Sequence, residues 1–167
     1  GVSVAPLARD LIAAYAARTA GAAPGWAPLP VQYADYTLWQ RDILGDETDP
    51  RSTAARQRDF WVSTLAGLPD RITLPTDRPR PVVQSMASAD VALAVDADVH
   101  ARLRAVAATE NATVFMTVHA ALVALLSRLG AGDDIAVGTA VAGRGAAELD
   151  DLVGMFVNTV VLRTPVR

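Results

Sequence analysis

Cysteine and lysine are both missing from this chain, and histidine occurs only at His100 and His119. Without cysteine there is no disulfide framework, no thiolate nucleophile and no Cys-ligated metal. Without lysine, all fifteen basic residues are arginine, a bias of coding composition that builds no basic patch suited to nucleic acid at a net charge of −3. A secretory leader is also lacking, because the opening GVSVAPLARDLIAAYAAR has no basic n-region and carries Arg9 and Asp10. The most apolar later stretch, Val114 to Leu129, is shorter than a bilayer span, holds His119 and ends at Ser127–Arg128. These absences predict a cytoplasmic protein without membrane or nucleic-acid partners. The chain opens on Gly1 rather than methionine, so processing or membership of a longer polypeptide is expected.

What is present is a 167-residue chain, 51% hydrophobic, enough for one compact domain or two small lobes. Val4 to Arg18 carries a helical stripe of Val4, Leu7, Leu11, Ile12, Tyr15 and Ala16, with Ser3 as the expected N-cap. A Gly- and Pro-rich loop over 20–30 leads to a second helix in VQYADYTLWQRDIL. Asp49–Pro50 is read as the cap and first position of a third, reaching Leu65 with Phe60, Trp61 and Leu65 inward. Leu68 to Val83 then holds four prolines and three arginines in sixteen residues, which reads as an extended connector.

After the connector the pattern alternates between strands and helices. Ala89 to Val95 reads as a strand, and Asp96 or Asp98 caps a helix to about Ala108 with Val99, Leu103 and Val106 inward. Asn111–Ala112–Thr113 starts another, whose stripe Phe115, Val118, Leu122, Leu125 and Leu126 predicts burial on most sides. Ile135 to Val141 is a strand, Ala142 to Gly145 a loop and Glu148 to Val153 a short helical turn. Phe156, Val157, Val160, Val161 and Leu162 read as a buried strand interrupted by Asn158 and Thr159. A dry, unpaired amide or hydroxyl there would cost about 1–3 kcal/mol, so the pair either satisfies neighbouring backbone or lines a cavity. The whole is an α/β pattern in two parts, 1–75 and 76–167.

Catalytic motifs are sparse. His100 lies on a polar helix face and His119 on an apolar one, where a core histidine with a paired nitrogen is expected. No spacing suits a metal site, and none is expected. Asp133–Asp134 and Asp150–Asp151 read as caps rather than an acid/base couple. No GxSxG elbow is present, and the Gly130–Ala131–Gly132 turn follows a helix where a dinucleotide fingerprint must precede one.

Two stretches nevertheless resemble one family. YADYTLWQ, from Tyr33 to Gln40, is similar to the Y-x-D-[FY]-x-x-W motif of condensation domains of nonribosomal peptide synthetases. VGMFVNTVVLR, from Val153 to Arg163, is similar to their later G-x-F-V-N-T-x-x-x-R motif, and the LPTDRPRP connector lies between in the same order. The resemblance implies a two-lobe fold like chloramphenicol acetyltransferase, here incomplete: helices of the first lobe, then strands and helices of the second. It implies amide formation between a donor thioester and an acceptor amine, both delivered on phosphopantetheine arms of carrier domains beside an adenylation domain of the same synthetase. No cofactor is then bound directly.

In that family the chemistry belongs to an H-H-x-x-x-D-G motif. By resemblance Gly1 is its final glycine, and both histidines and the aspartate precede it, so the chain alone is expected to be inactive. The resemblance further assigns Gly1, Ser3, Arg144, Gly154, Phe156, Asn158 and Thr159 to the tunnel region. Arg144 either pairs with the motif aspartate or is a solvent-facing loop arginine. Tyr33, Asp35, Tyr36 and Trp39 would chiefly hold the first lobe together, and lobe-one helices without a sheet would leave apolar faces exposed. Alternatives are a degenerate, non-catalytic relative that recruits a tailoring enzyme, and a related acyltransferase making esters.

Overall fold

In the computed structural model, which describes residues 1–83 and 85–166, five helices and two strands follow in order. They are α1 (Val4–Thr19), α2 (Tyr33–Leu44), α3 (Thr53–Leu65), α4 (Ala97–Thr109), α5 (Val114–Leu126), β1 (Asp134–Val141) and β2 (Asn158–Pro165). Sequence-encoded caps fix most of the starts. The Gln32 backbone N–H donates to Asp35 Oδ2 at 2.8 Å and opens α2. Asp96 Oδ1 accepts from Val99 N–H at 2.7 Å before α4, and Thr113 Oγ1 accepts from Met116 N–H at 3.1 Å before α5. The expected cap of α3 is corrected from Asp49 to Ser52, whose Oγ accepts from Ala55 N–H at 3.0 Å. Asp49 is used one step earlier: its side chain takes Arg51 N–H and its carbonyl takes Ser52 N–H, closing a turn around Pro50.

Packing divides the chain into two units, 1–66 with 138–162, and 67–137 with 163–167. The division expected at residues 75 and 76 leaves 138–162 on the other side. Those residues join the first helices because Leu149, Leu152 and Phe156 bury against Tyr36 of α2, with Val31 and Tyr33 packed alongside. Burying such a side chain contributes roughly 1.5–3 kcal/mol, enough to outweigh sequence separation. The α1 stripe finds no such cover: Val4, Leu7, Leu11, Ile12 and Tyr15 are exposed.

The second unit has its own core of Val123, Ala131 and Ile135, with Leu74, Leu126, Val137 and Val166 against it. Burial of α5 is narrower than its stripe predicts, since Phe115, Val118, Leu122 and Leu125 are exposed and Val123 faces the core. The helix continues through a wide turn, Ser127–Ala131, so Val114–Ala131 reaches 18 residues at a mean hydropathy of 1.7. That length, greater than the sequence suggested, meets the lower limit for a span by composition alone, a limit that core helices also meet. His119 behaves as expected, with Nε2 3.1 Å from Thr164 Oγ1 and its ring stacked on Phe115, while His100 is exposed.

Two strand expectations are corrected. Residues 89–95 form no strand; Val91 and Leu93 are 92% and 88% exposed, because no neighbouring strand among the described residues takes their backbone bonds. The last strand begins at Asn158, so the polar pair starts it instead of interrupting it, and Phe156 is buried just ahead. The helical turn expected at 148–153 is a single 3₁₀ turn, Ala147–Leu149. β1 pairs with β2. Asp134 meets Arg163 and Gly138 meets Thr159, a register in which one strand's numbers rise as the other's fall, so the pair is antiparallel.

Candidate functional site

The first unit brings Gly1, Ser3, Arg144, Gly154 and Phe156 around one open cavity of about 240 Å³. Val2, Ala142, Gly143, Met155 and Val157 complete its lining, so two segments form the wall, 1–3 and the loop between β1 and β2. Ser3 occupies the N-cap position of α1, yet its φ and ψ of −63° and −15° are already helical and its side chain caps nothing. The expected cap is therefore corrected. Ser3 Oγ donates to the Gly154 carbonyl at 2.8 Å and accepts from Gly154 N–H at 3.2 Å and Arg144 Nη2 at 2.9 Å. One donated and two accepted bonds saturate a hydroxyl, so this serine is not free to act as a nucleophile.

Arg144 turns inward rather than to solvent. Its Nη2 also donates to the Leu152 carbonyl at 2.7 Å, and Nη1 donates to the carbonyls of Leu149 and Asp150. The guanidinium carbon stands 4.1 Å from the centre of the Phe156 ring, a cation–π contact. A planar fork with five N–H groups suits this task better than an ammonium would, because it reaches several carbonyls at once. Among the described residues its hydrogen-bond partners are carbonyls and a hydroxyl, not the aspartate that the resemblance implies.

Close backbone approach holds the loop on α2. A Cβ on Gly154 would lie 2.3 Å from Tyr33 Cδ2, and one on Gly143 would lie 2.1 Å from the Phe156 carbonyl oxygen. Tyr33 Oη donates to the Met155 carbonyl at 2.7 Å, and its ring meets Phe156 edge-on at 5.3 Å. Tyr36 lies 4.8 Å from Phe156 and accepts from Gln40 Nε2 at 2.9 Å through its hydroxyl. Trp39 is 6.0 Å from Tyr36 and largely exposed, and Asp35 is occupied in capping α2. At the loop's outer edge Asp151 Oδ1 accepts from Arg9 Nη1 at 2.6 Å, and with Asp10 it raises the arginine's pKa.

Asn158 and Thr159 are not among the residues lining the cavity. Asn158 Oδ1 accepts the Thr159 N–H at 2.8 Å, the neighbouring-backbone alternative, and the Thr159 methyl faces Gly138. Sequence reasoning missed Gly143, for which a glycine directly before an inward arginine was the available signal. It also missed the carbonyls of Leu149 and Leu152, which leave no signal in side-chain identity. Arg144 is the charged residue in the cavity lining, and no described residue there is a general base. What the arrangement can do is present a fixed polar and apolar wall, not run a proton transfer unaided.

Comparison with known proteins identifies the family. The family model for the condensation domain matches residues 1–167. The chain is 59% identical over 163 residues to the probable non-canonical nonribosomal peptide synthetase CymA of Salinispora arenicola, covering 98% of this chain and 2% of that protein. It is 55% identical to the isonitrile lipopeptide synthase of Mycobacterium tuberculosis, covering 98% of this chain and 6% of that protein. Among solved structures, the X-domain in complex with OxyB from teicoplanin biosynthesis aligns at a TM-score of 0.90 and 39% identity, over 98% of this chain and 36% of that one. The chain thus spans only a small part of the synthetases it matches. Carrying both the fold and the motifs, it belongs to the condensation domain family.

Proposed function

We propose that this chain supplies part of the reaction chamber of an amide-forming condensation domain in a cytoplasmic nonribosomal peptide synthetase. In this reading an acceptor amine attacks a donor thioester carbonyl, the C–N bond forms, and the thiol of the donor's phosphopantetheine arm leaves with a proton. Both arms belong to carrier domains of the same synthetase, beside its adenylation domain. No described residue of the cavity lining is a base for the amine, so the part of this chain's residues is to orient and enclose. The observation that supports the reading is the cavity whose two walls, 1–3 and 142–157, are joined through Ser3 and Arg144.

The test is to fill that cavity in the intact synthetase. Val157→Trp should abolish amide product, read by mass spectrometry of the carrier-bound species, while substrate adenylation continues unchanged. Undiminished amide formation would sink the reading. An ester product from a hydroxyl acceptor would redirect it to the ester-forming alternative. The likeness to an X-domain solved with OxyB favours a second reading, a non-catalytic domain that holds a modifying enzyme. A wild-type synthetase that never joins its two loaded substrates, yet binds a purified modifying enzyme, would establish that instead.

A further inference from the structure

The hydroxyl of Ser3 stands where a helix cap belongs and is spent on another segment. The first turn of α1 closes without it: Val4 N–H donates to the Gly1 carbonyl at 3.0 Å, and Leu7 N–H to the Ser3 carbonyl at 3.2 Å. Gly1, Val2 and Ser3 are thereby wound onto α1, and whatever fixes Ser3 fixes the 1–3 wall of the cavity. Ser3 Oγ is fixed through both polar groups of Gly154 and through Arg144. Gly154 in turn is pressed against the Tyr33 ring, and the next carbonyl, of Met155, is held by Tyr33 Oη. Two helices and one loop converge on Gly154 and Met155, and the serine hydroxyl joins α1 to that point.

We propose that Ser3 is a positioning residue for condensation: its hydroxyl sets the placement of the 1–3 segment against the 142–157 wall of the cavity. This rests on the condensation reading of the same site. Ser3 touches no reacting atom in this account. It acts through the segment it anchors, so its loss should slow turnover without weakening capture of the carrier domains, whose surfaces it does not shape. A misplacement of about 1 Å can lower turnover by roughly a hundredfold.

The experiment uses the intact synthetase with Ser3→Ala, Ser3→Thr and, as a control, Arg9→Ala. The control removes the exposed bond from α1 to the same loop at Asp151. Two readouts are taken, steady-state amide formation and hydrogen exchange at the Gly154 amide. Ser3→Ala should lower kcat by about tenfold to a hundredfold with KM for the acceptor-loaded carrier unchanged. Its Gly154 amide should lose protection. Ser3→Thr keeps an Oγ and should restore both, and Arg9→Ala should match wild type in both. Ser3→Ala with normal kcat, or with normal Gly154 protection, overturns the proposal, as does an equal loss in Arg9→Ala. If wild type forms no amide, the condensation reading fails, and exchange at Gly154 still decides whether Ser3 is the anchor.

Discussion

Arg144 in the first unit and Arg163 in the second are held in opposite ways. Arg144 spends its guanidinium on three carbonyl oxygens, one hydroxyl and an aromatic face, all neutral. Arg163 meets a carboxylate: its Nε lies 3.0 Å from each Asp134 oxygen and its Nη2 2.5 Å from Oδ2. The first arrangement has no titrating partner, so pH and salt leave it intact, and it fixes backbone. The second joins two side chains across a strand pair, is partly exposed, and draws its strength from charge. An arginine among carbonyls marks a place where loop shape matters, whereas an arginine on a carboxylate marks register.

The comparison breaks most severely on the Arg144 side. Gly143→Ala forces a Cβ into the Phe156 carbonyl, so the loop must move, at a cost of about 3 kcal/mol. Local opening free energy from hydrogen exchange across 142–157 reads that loss. Arg144→Ala removes all of its carbonyl, hydroxyl and ring contacts at once and should destabilise the loop by about 2–3 kcal/mol, with the same loss at neutral pH and in mild acid. Tyr33→Phe deletes only the bond to the Met155 carbonyl and should cost about 1 kcal/mol, sparing the ring contacts with Phe156.

On the Arg163 side the prediction is one of pH and salt. The Arg163 hydrogen bonds hold the Asp134 carboxyl below its ordinary value of 3.8, against a smaller opposing effect of burial. The folded form therefore binds that proton less readily than the unfolded chain. The stabilisation is complete above the ordinary carboxylate value and is lost as pH falls through the lowered folded one. Hydrogen exchange along 134–137 should reveal faster opening in acid and at high salt, and Asp134→Asn should remove both dependences. The exchange at the Gly154 amide, whose N–H the neutral Ser3 hydroxyl accepts, should follow neither.

Much of the fold was legible because periodicity and caps are local. The α1, α2, α4 and α5 spans follow from stripes and, for the last two, from the cap signals Asp96 or Asp98 and Asn111–Ala112–Thr113. The strand expected at 89–95 failed because alternation states only that one face wants cover, and cover is a property of what lies opposite. Asn158 and Thr159 were misplaced inside a strand for a related reason: apolar Phe156 and Val157 continue the pattern although the backbone has not yet entered the ladder. The site was half legible. Motif resemblance pointed to Ser3, Arg144, Gly154 and Phe156, yet the bonds that unite them run largely to backbone carbonyls, which every residue carries. Gly143 and Gly154 reveal their purpose only once Phe156 and Tyr33 are seen against them.

On the proposed reading the Arg144 cluster serves the reaction while the Arg163 pair serves the fold, and one paired measurement addresses both. Amide formation is followed in the intact synthetase for Arg144→Ala and Asp134→Asn at neutral pH, with adenylation as the reference activity. The account predicts that Arg144→Ala loses amide formation and keeps adenylation, and that Asp134→Asn keeps both. Normal amide formation by Arg144→Ala, or its selective loss in Asp134→Asn, would contradict it.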